Sequence, residues 1–125
     1  MVRSVPVLEV HPSQLYLSSE KLAAVCEWLD FGDPDYEPLP AFEYEDEWYL
    51  ADGHTRAFAA FLAGVEQLQI DREEALREKY DFEVYEACIE WCADAGVETI
   101  ADLRGRIVEP DTYERRWIER CQQVG

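Results

Sequence analysis

The chain has 125 residues, 28 of them acidic against 11 basic, for a net charge of −17. Such a charge repels phosphate backbones and anionic headgroups alike, which disfavours nonspecific nucleic-acid binding and adsorption to a membrane surface. With 48% apolar and 13% aromatic residues the chain can bury a core, which excludes wholesale disorder, and its length suits one domain.

Residues 5–10 are apolar and β-branched and read as a strand ended by His11 and Pro12. Ser18, Ser19 and Glu20 announce a helix, in which Leu22, Val25, Cys26 and Leu29 repeat at helical spacing as a buried face through about Asp30. Residues 31–40 carry too many breakers for regular structure. Residues 41–51 read as a hairpin turning at 45–47, followed by a compact helix over 55–63 that Gly64 closes, and a strand over 65–70.

Beyond Ile70 the pattern becomes helical. Residues 71–80 are charged and weakly amphipathic, and 81–95 form a helix with Phe82, Tyr85, Cys88, Ile89 and Cys92 inward, stopped by Gly96. A short helical element follows at 99–103. A last helix spans about 111–122, with Tyr113, Trp117, Ile118 and Cys121 on one face. The expected fold is α+β: a small mixed sheet with helices over residues 1–70, then an all-helical tail over 71–125 packed on it in one compact domain.

No apolar run reaches the roughly 18–20 residues of a membrane span, and the N-terminal residues lack the apolar core of a signal peptide. The expectation is a cytoplasmic protein with no membrane partner. In a reducing compartment Cys26, Cys88, Cys92 and Cys121 read as thiols. Cys88 and Cys92 lie one helical turn apart, but without further ligands in register they read as core residues rather than a metal site.

The distribution of charge singles out one segment. Residues 1–70 hold thirteen acids and only three bases, Arg3, Lys21 and Arg56. Arg56 stands in the run Asp52, Gly53, His54, Thr55, Arg56, between the returning hairpin strand and an alanine-rich helix. Gly53 permits a sharp strand-to-helix turn and close approach of a ligand to the backbone. The helix directs its free N–H groups and positive dipole end at that turn, which makes an anion site. Arg56 can fork two phosphate oxygens, Thr55 can donate a hydrogen bond, and Asp52 and His54 are the candidates for metal or proton handling.

With these residues in view, the stretch from Val7 to Ile70 resembles the ParB/sulfiredoxin superfamily. The resemblance is carried by residues 8–15, by the helix from Ser19, by residues 39–42, and above all by residues 48–64, which follow an "aliphatic strand, D-G-H-x-R, small-residue helix, A-G" pattern. It implies a small α+β domain that binds nucleotide phosphates at the helix N-terminus through Gly53, His54, Thr55 and Arg56. Members diverge into CTP-binding partition proteins, ATP-using sulfiredoxins and ADP-dependent kinases of free serine, and the fold does not choose among them.

Departures from the pattern narrow the choice. Sulfiredoxins place a nucleophilic cysteine after the motif glycine, where this chain has His54. Partition proteins add a basic DNA reader, whereas residues 71–125 hold fifteen acids against eight bases. The kinase-like members are closest at Asp52, Gly53 and His54; they need a separate carboxylate base, for which Glu9, Glu20, Asp33 and Asp35 stand open. The leading expectation is a nucleotide-binding ParB-like protein using ATP, ADP or CTP with Mg²⁺, acting as a small phosphotransferase with Asp52 and His54 catalytic. The alternative is a non-catalytic regulatory or interaction module whose acidic surface engages a basic protein. His11, after the first strand, reads as structural, and Arg104, Arg106, Arg115 and Arg116 read as charge balance for neighbouring acids.

Overall fold

A computed structural model describes residues 2–72 and 82–124. Five strands form a mixed sheet in the order β1-β6-β4-β5-β2. Strand β1 (Val2–Pro6) runs antiparallel to β6 (Gln67–Arg72), which is parallel to β4 (Leu39–Tyr44); β4 is antiparallel to β5 (Glu47–Leu50), and β5 is parallel to β2 (Val10–His11). The single strand expected over residues 5–10 is therefore two. Pro6 ends β1, and a 3₁₀ turn at Val7–Glu9 carries the chain across to β2 at the opposite edge of the sheet. Four residues reach at most about 14 Å, whereas the edges of a flat five-stranded sheet stand about 19 Å apart. The sheet must curl for this link to close.

Alternation along the strands sorts side chains to two faces. Val5, Val10, Leu39, Ala41, Leu50, Leu68 and Ile70 belong to one buried cluster with Phe58 of α2 (His54–Leu62) at 1% exposure. Ala57, Ala59 and Ala60 let α2 sit close against the sheet, with Gly64 at positive φ beyond its end. Phe42, one residue along from Ala41, faces the other way and packs with Tyr49, Phe82, Tyr85 and Ile89 beneath α3 (Phe82–Asp94). The inward face expected for that helix is the one it buries, with Cys88, Ile89 and Cys92 enclosed.

The hairpin turn is tight. Tyr44 pairs with Glu47, and Glu45 and Asp46 between them both take positive φ, 52° and 65°, as a two-residue type I′ connection requires. Neither residue is the best choice for such a turn, so Glu45→Asn with Asp46→Gly is expected to raise stability by about 1 kcal/mol, measurable as a higher urea midpoint at unchanged m-value.

The helix α1 (Ser19–Trp28), capped by Ser18 accepting from the Lys21 N–H, departs from its expected burial. None of its residues is buried: Leu22 and Val25 are half-covered, Cys26 is exposed, and only Leu29 just beyond the helix is enclosed. The helix rests on α2 along one side and borders an open hollow, so its apolar stripe is only partly covered.

The expected weak helix over residues 71–80 is a strand at its start, since Asp71 and Arg72 complete β6; its remainder lies outside the described residues. After α3 come a 3₁₀ segment Ile100–Gly105 and strand β7 (Ile107–Val108), which pairs in parallel with β3 (Leu17–Ser18). The last helix comprises α4 (Pro110–Tyr113), a π-helical turn Glu114–Ile118 and α5 (Glu119–Gln122). Tyr113, Trp117, Ile100 and Leu103 join the same core cluster as the sheet. Among the described residues, no helix is long and apolar enough to cross a membrane.

Candidate functional site

The turn from β5 into α2 is built on Gly53. Its φ of 79° lies in the left-handed region, and the Asp52 carboxylate accepts its N–H at 2.8 Å. A Cβ here would meet Leu39 Cδ2 at 2.9 Å and Arg56 Nη2 at 3.0 Å, so only glycine lets the Arg56 side chain fold back over the turn. As N-cap, Gly53 offers no side chain to the first amides of α2, and no acid occupies the first turn although the chain is rich in acids. The positive end of the helix is thus left uncompensated by its own turn.

His54 is turned inward, at 3% exposure. Its Nε2 accepts the Ser13 backbone N–H at 2.9 Å, while the Ser13 hydroxyl donates to the Leu50 carbonyl at 2.6 Å. Serine 13 therefore ties the chain after β2 to the end of β5 and the start of α2. With Nε2 accepting, the proton of the neutral ring belongs on Nδ1, an assignment made from the hydrogen-bond network. That atom is buried and has no hydrogen-bond partner among the described residues. Burial lowers the pKa of His54 from 6.5 to about 4, against a smaller opposing pull from the Asp52 charge, so the ring is neutral at pH 7.

Around this turn lies a hollow of about 370 Å³, within the range of small-ligand sites. Asp52, Gly53, His54, Thr55 and Arg56 all line it, so the structure brings the whole motif to one place. Lys21 and Trp28 from α1 and Tyr113 from α4 are also part of its wall. The Lys21 ammonium stands 5.0 Å from the centre of the Tyr113 ring. Two of the three cations of residues 1–70 thus line the hollow at this helix end, with Asp52 the one acid in the lining among the described residues. Among the described residues, Arg56 makes no ion pair.

Arg56 and Trp28 also border a neighbouring hollow of about 440 Å³ formed with Asp35, Tyr36 and Glu37. Of the four carboxylates left open by sequence, Asp35 alone lies beside Arg56; Glu9, Glu20 and Asp33 line neither hollow. His11 is elsewhere, with Nδ1 2.6 Å from the Glu98 carbonyl and Nε2 3.5 Å from the Glu47 carboxylate.

No family model and no curated protein matches this chain. Solved structures do show a likeness. The fold is shared with protein Atu1540 from Agrobacterium tumefaciens. The TM-score is 0.56 at 16% sequence identity, over 88% of this chain and 63% of that one, so this chain spans less than two thirds of the length of Atu1540. At this identity the likeness is one of fold, and it bears out the α+β architecture.

Reasoning from sequence missed Lys21, Trp28 and Tyr113 as wall residues. Lys21 did carry a signal, as one of so few early cations, but Tyr113 is 92 positions further on and looked like any core aromatic. Three arginines of the tail rest on aromatic rings. Arg104 stacks over Phe61, Arg106 over Tyr16 and Arg120 over Trp91, at 5.6, 5.5 and 4.0 Å from the ring centres. Among the described residues there is no group of three or more side chains suited to hold a metal ion.

Proposed function

We propose that the hollow at Gly53 binds a nucleotide through its phosphates, and that the protein is a cytoplasmic ParB-like domain acting as a small phosphotransferase. The observation that carries this reading is the meeting of Lys21, Arg56 and the uncapped N-terminus of α2 in one hollow of a strongly acidic chain. The Thr55 and Arg56 amides and the Arg56 guanidinium hold phosphate oxygens, and the Thr55 hydroxyl adds a donor. Asp52 is a single carboxylate with one oxygen already accepting from Gly53, so Mg²⁺ would be held mainly by the nucleotide's phosphates and water. His54, with Nε2 bound to Ser13, serves by keeping the turn in place and has only its Nδ1 proton to offer. Asp35, which lines a hollow with Glu37 and Arg56, is the carboxylate we assign to take a proton from an acceptor there.

Thermal shift with ATP, ADP and CTP in the presence of Mg²⁺ tests the reading. A ligand at a hundred times its Kd should stabilise the fold by about 2.7 kcal/mol. Arg56→Ala should weaken binding about tenfold to a hundredfold, the worth of a charge-assisted hydrogen bond, while leaving unliganded stability within about 0.5 kcal/mol. If all three nucleotides leave the melting temperature unchanged at millimolar concentration, the proposal fails for them.

One observation favours a second reading, a non-catalytic module for a basic protein partner. Trp28 and Phe31 are 54% and 41% exposed, and Asp30, Asp33 and Asp35 are exposed on the same stretch. Partner binding that survives Arg56→Ala would select that reading.

A further inference from the structure

Three of the four cysteines gather where α3 meets the C-terminal helix. Cys88 and Cys92 are buried on successive turns of α3, and Cys121 comes from α5, half-covered. The Cys88 and Cys121 sulfurs are 4.0 Å apart, across 33 residues of chain. Around them, Trp91 meets Trp117 edge to face at 5.9 Å, and Arg120 lies over Trp91. The packing of α3 on the last helix therefore holds these two thiols face to face.

We propose that Cys88 and Cys121 form a redox-active dithiol, a site of reversible oxidation by hydroperoxide. The two thiols are not equivalent. Cys121 is the more accessible, and its thiol is held below its usual range by the hydrogen bond with Cys88 and by the Arg120 charge. The same hydrogen bond, and then burial, push the Cys88 thiol up. Cys92 is pushed up to about 12 by burial and stays a thiol. The order of events follows from this asymmetry. The Cys121 thiolate attacks the distal oxygen of the peroxide and breaks the O–O bond, giving a sulfenic acid and hydroxide, which takes a proton to become water. Cys88 then attacks the Cys121 sulfur, its proton leaving with the hydroxyl group as a second water. Two thiols and one hydrogen peroxide become one disulfide and two waters.

A disulfide brings sulfurs to about 2 Å, so the pair must close by about as much again, shared between the two side chains. The bond would staple α3 to the helix that supplies Tyr113 to the hollow. Closing a loop of this length stabilises by restricting the unfolded chain, and the melting temperature should rise by about 5–15 °C. The site does not depend on the nucleotide reading.

The test is peptide mapping of the folded, reduced full chain after treatment with equimolar hydrogen peroxide, under non-reducing conditions. The expected product is one intramolecular Cys88–Cys121 disulfide, reversed by dithiothreitol and accompanied by the rise in melting temperature. Cys121→Ser should abolish it, and Cys88→Ser should leave a sulfenic acid on Cys121 that dimedone traps. The mapping is done on the unaltered chain, so it stands even if a variant does not fold. Oxidation confined to the exposed Cys26, a bridge between any other pair, or thiols at Cys88 and Cys121 that survive peroxide in the folded protein would each overturn the proposal.

Discussion

Gly53→Ala is expected to destabilise the protein by about 2–5 kcal/mol and to remove the anion binding proposed for the hollow. Two separate costs add. An alanine held at a φ of 79° pays about 1–2 kcal/mol for the left-handed backbone. Its Cβ would also stand 2.9 Å from Cδ2 of Leu39, a fully buried side chain, and overpacking of that kind costs about 1–3 kcal/mol. The second close neighbour, the end of the Arg56 side chain at 3.0 Å, is flexible and would swing away, taking the guanidinium off the helix terminus. Gly64→Ala separates the two costs. Gly64 has a φ of 93° with open space where its Cβ would be, so it pays the backbone cost alone. Urea denaturation of both variants checks this: equal losses would show that the close packing at Gly53 contributes nothing.

Between pH 6.5 and 4, wild-type stability is expected to fall by about 3 kcal/mol relative to a His54→Gln variant. The cause is the burial of His54, whose pKa is about 4 in the folded chain against 6.5 for the free side chain. In that window the unfolded chain binds a proton that the folded chain refuses, so protonation pulls the equilibrium toward unfolding as pH drops. Two and a half pH units at about 1.4 kcal/mol each, reduced by partial protonation at both ends of the window, give the magnitude. Above pH 6.5 neither state is protonated, and below 4 both are, so this contribution is flat outside the window. The many carboxylates titrate in the same region, but they do so in both proteins and cancel in the difference. Glutamine can still accept from the Ser13 N–H and does not titrate, which makes it the proper reference. Parallel stability curves for the two proteins would sink the account of His54 as a buried neutral ring.

These predictions rest on residues whose legibility in the sequence was unequal. The hairpin, the strand-to-helix turn and α2 could be read because each is set within a few positions: alternation in β4 and β5, a glycine between strand and helix, and alanines closed by Gly64. The break at Pro6 was not legible, because residues 5–10 are apolar and β-branched like one strand. It is pairing with β6 on one side and β5 on the other that divides them. The stripe on α1 was read correctly as apolar but wrongly as buried, since burial depends on whether another element arrives to cover it.

For the site itself, the amino-acid sequence alone determined where an anion could approach the backbone, because glycine, helix start and scarce cation follow one another locally. Which way His54 points, that Ser13 meets it 41 residues away, and that Lys21 and Tyr113 close the hollow were decided only by the tertiary structure. The physical reason is one of range. Backbone turns and helix ends answer to neighbours within about four residues, whereas the facing of a side chain, and the burial that makes His54 neutral, depend on elements that packing brings from elsewhere in the chain.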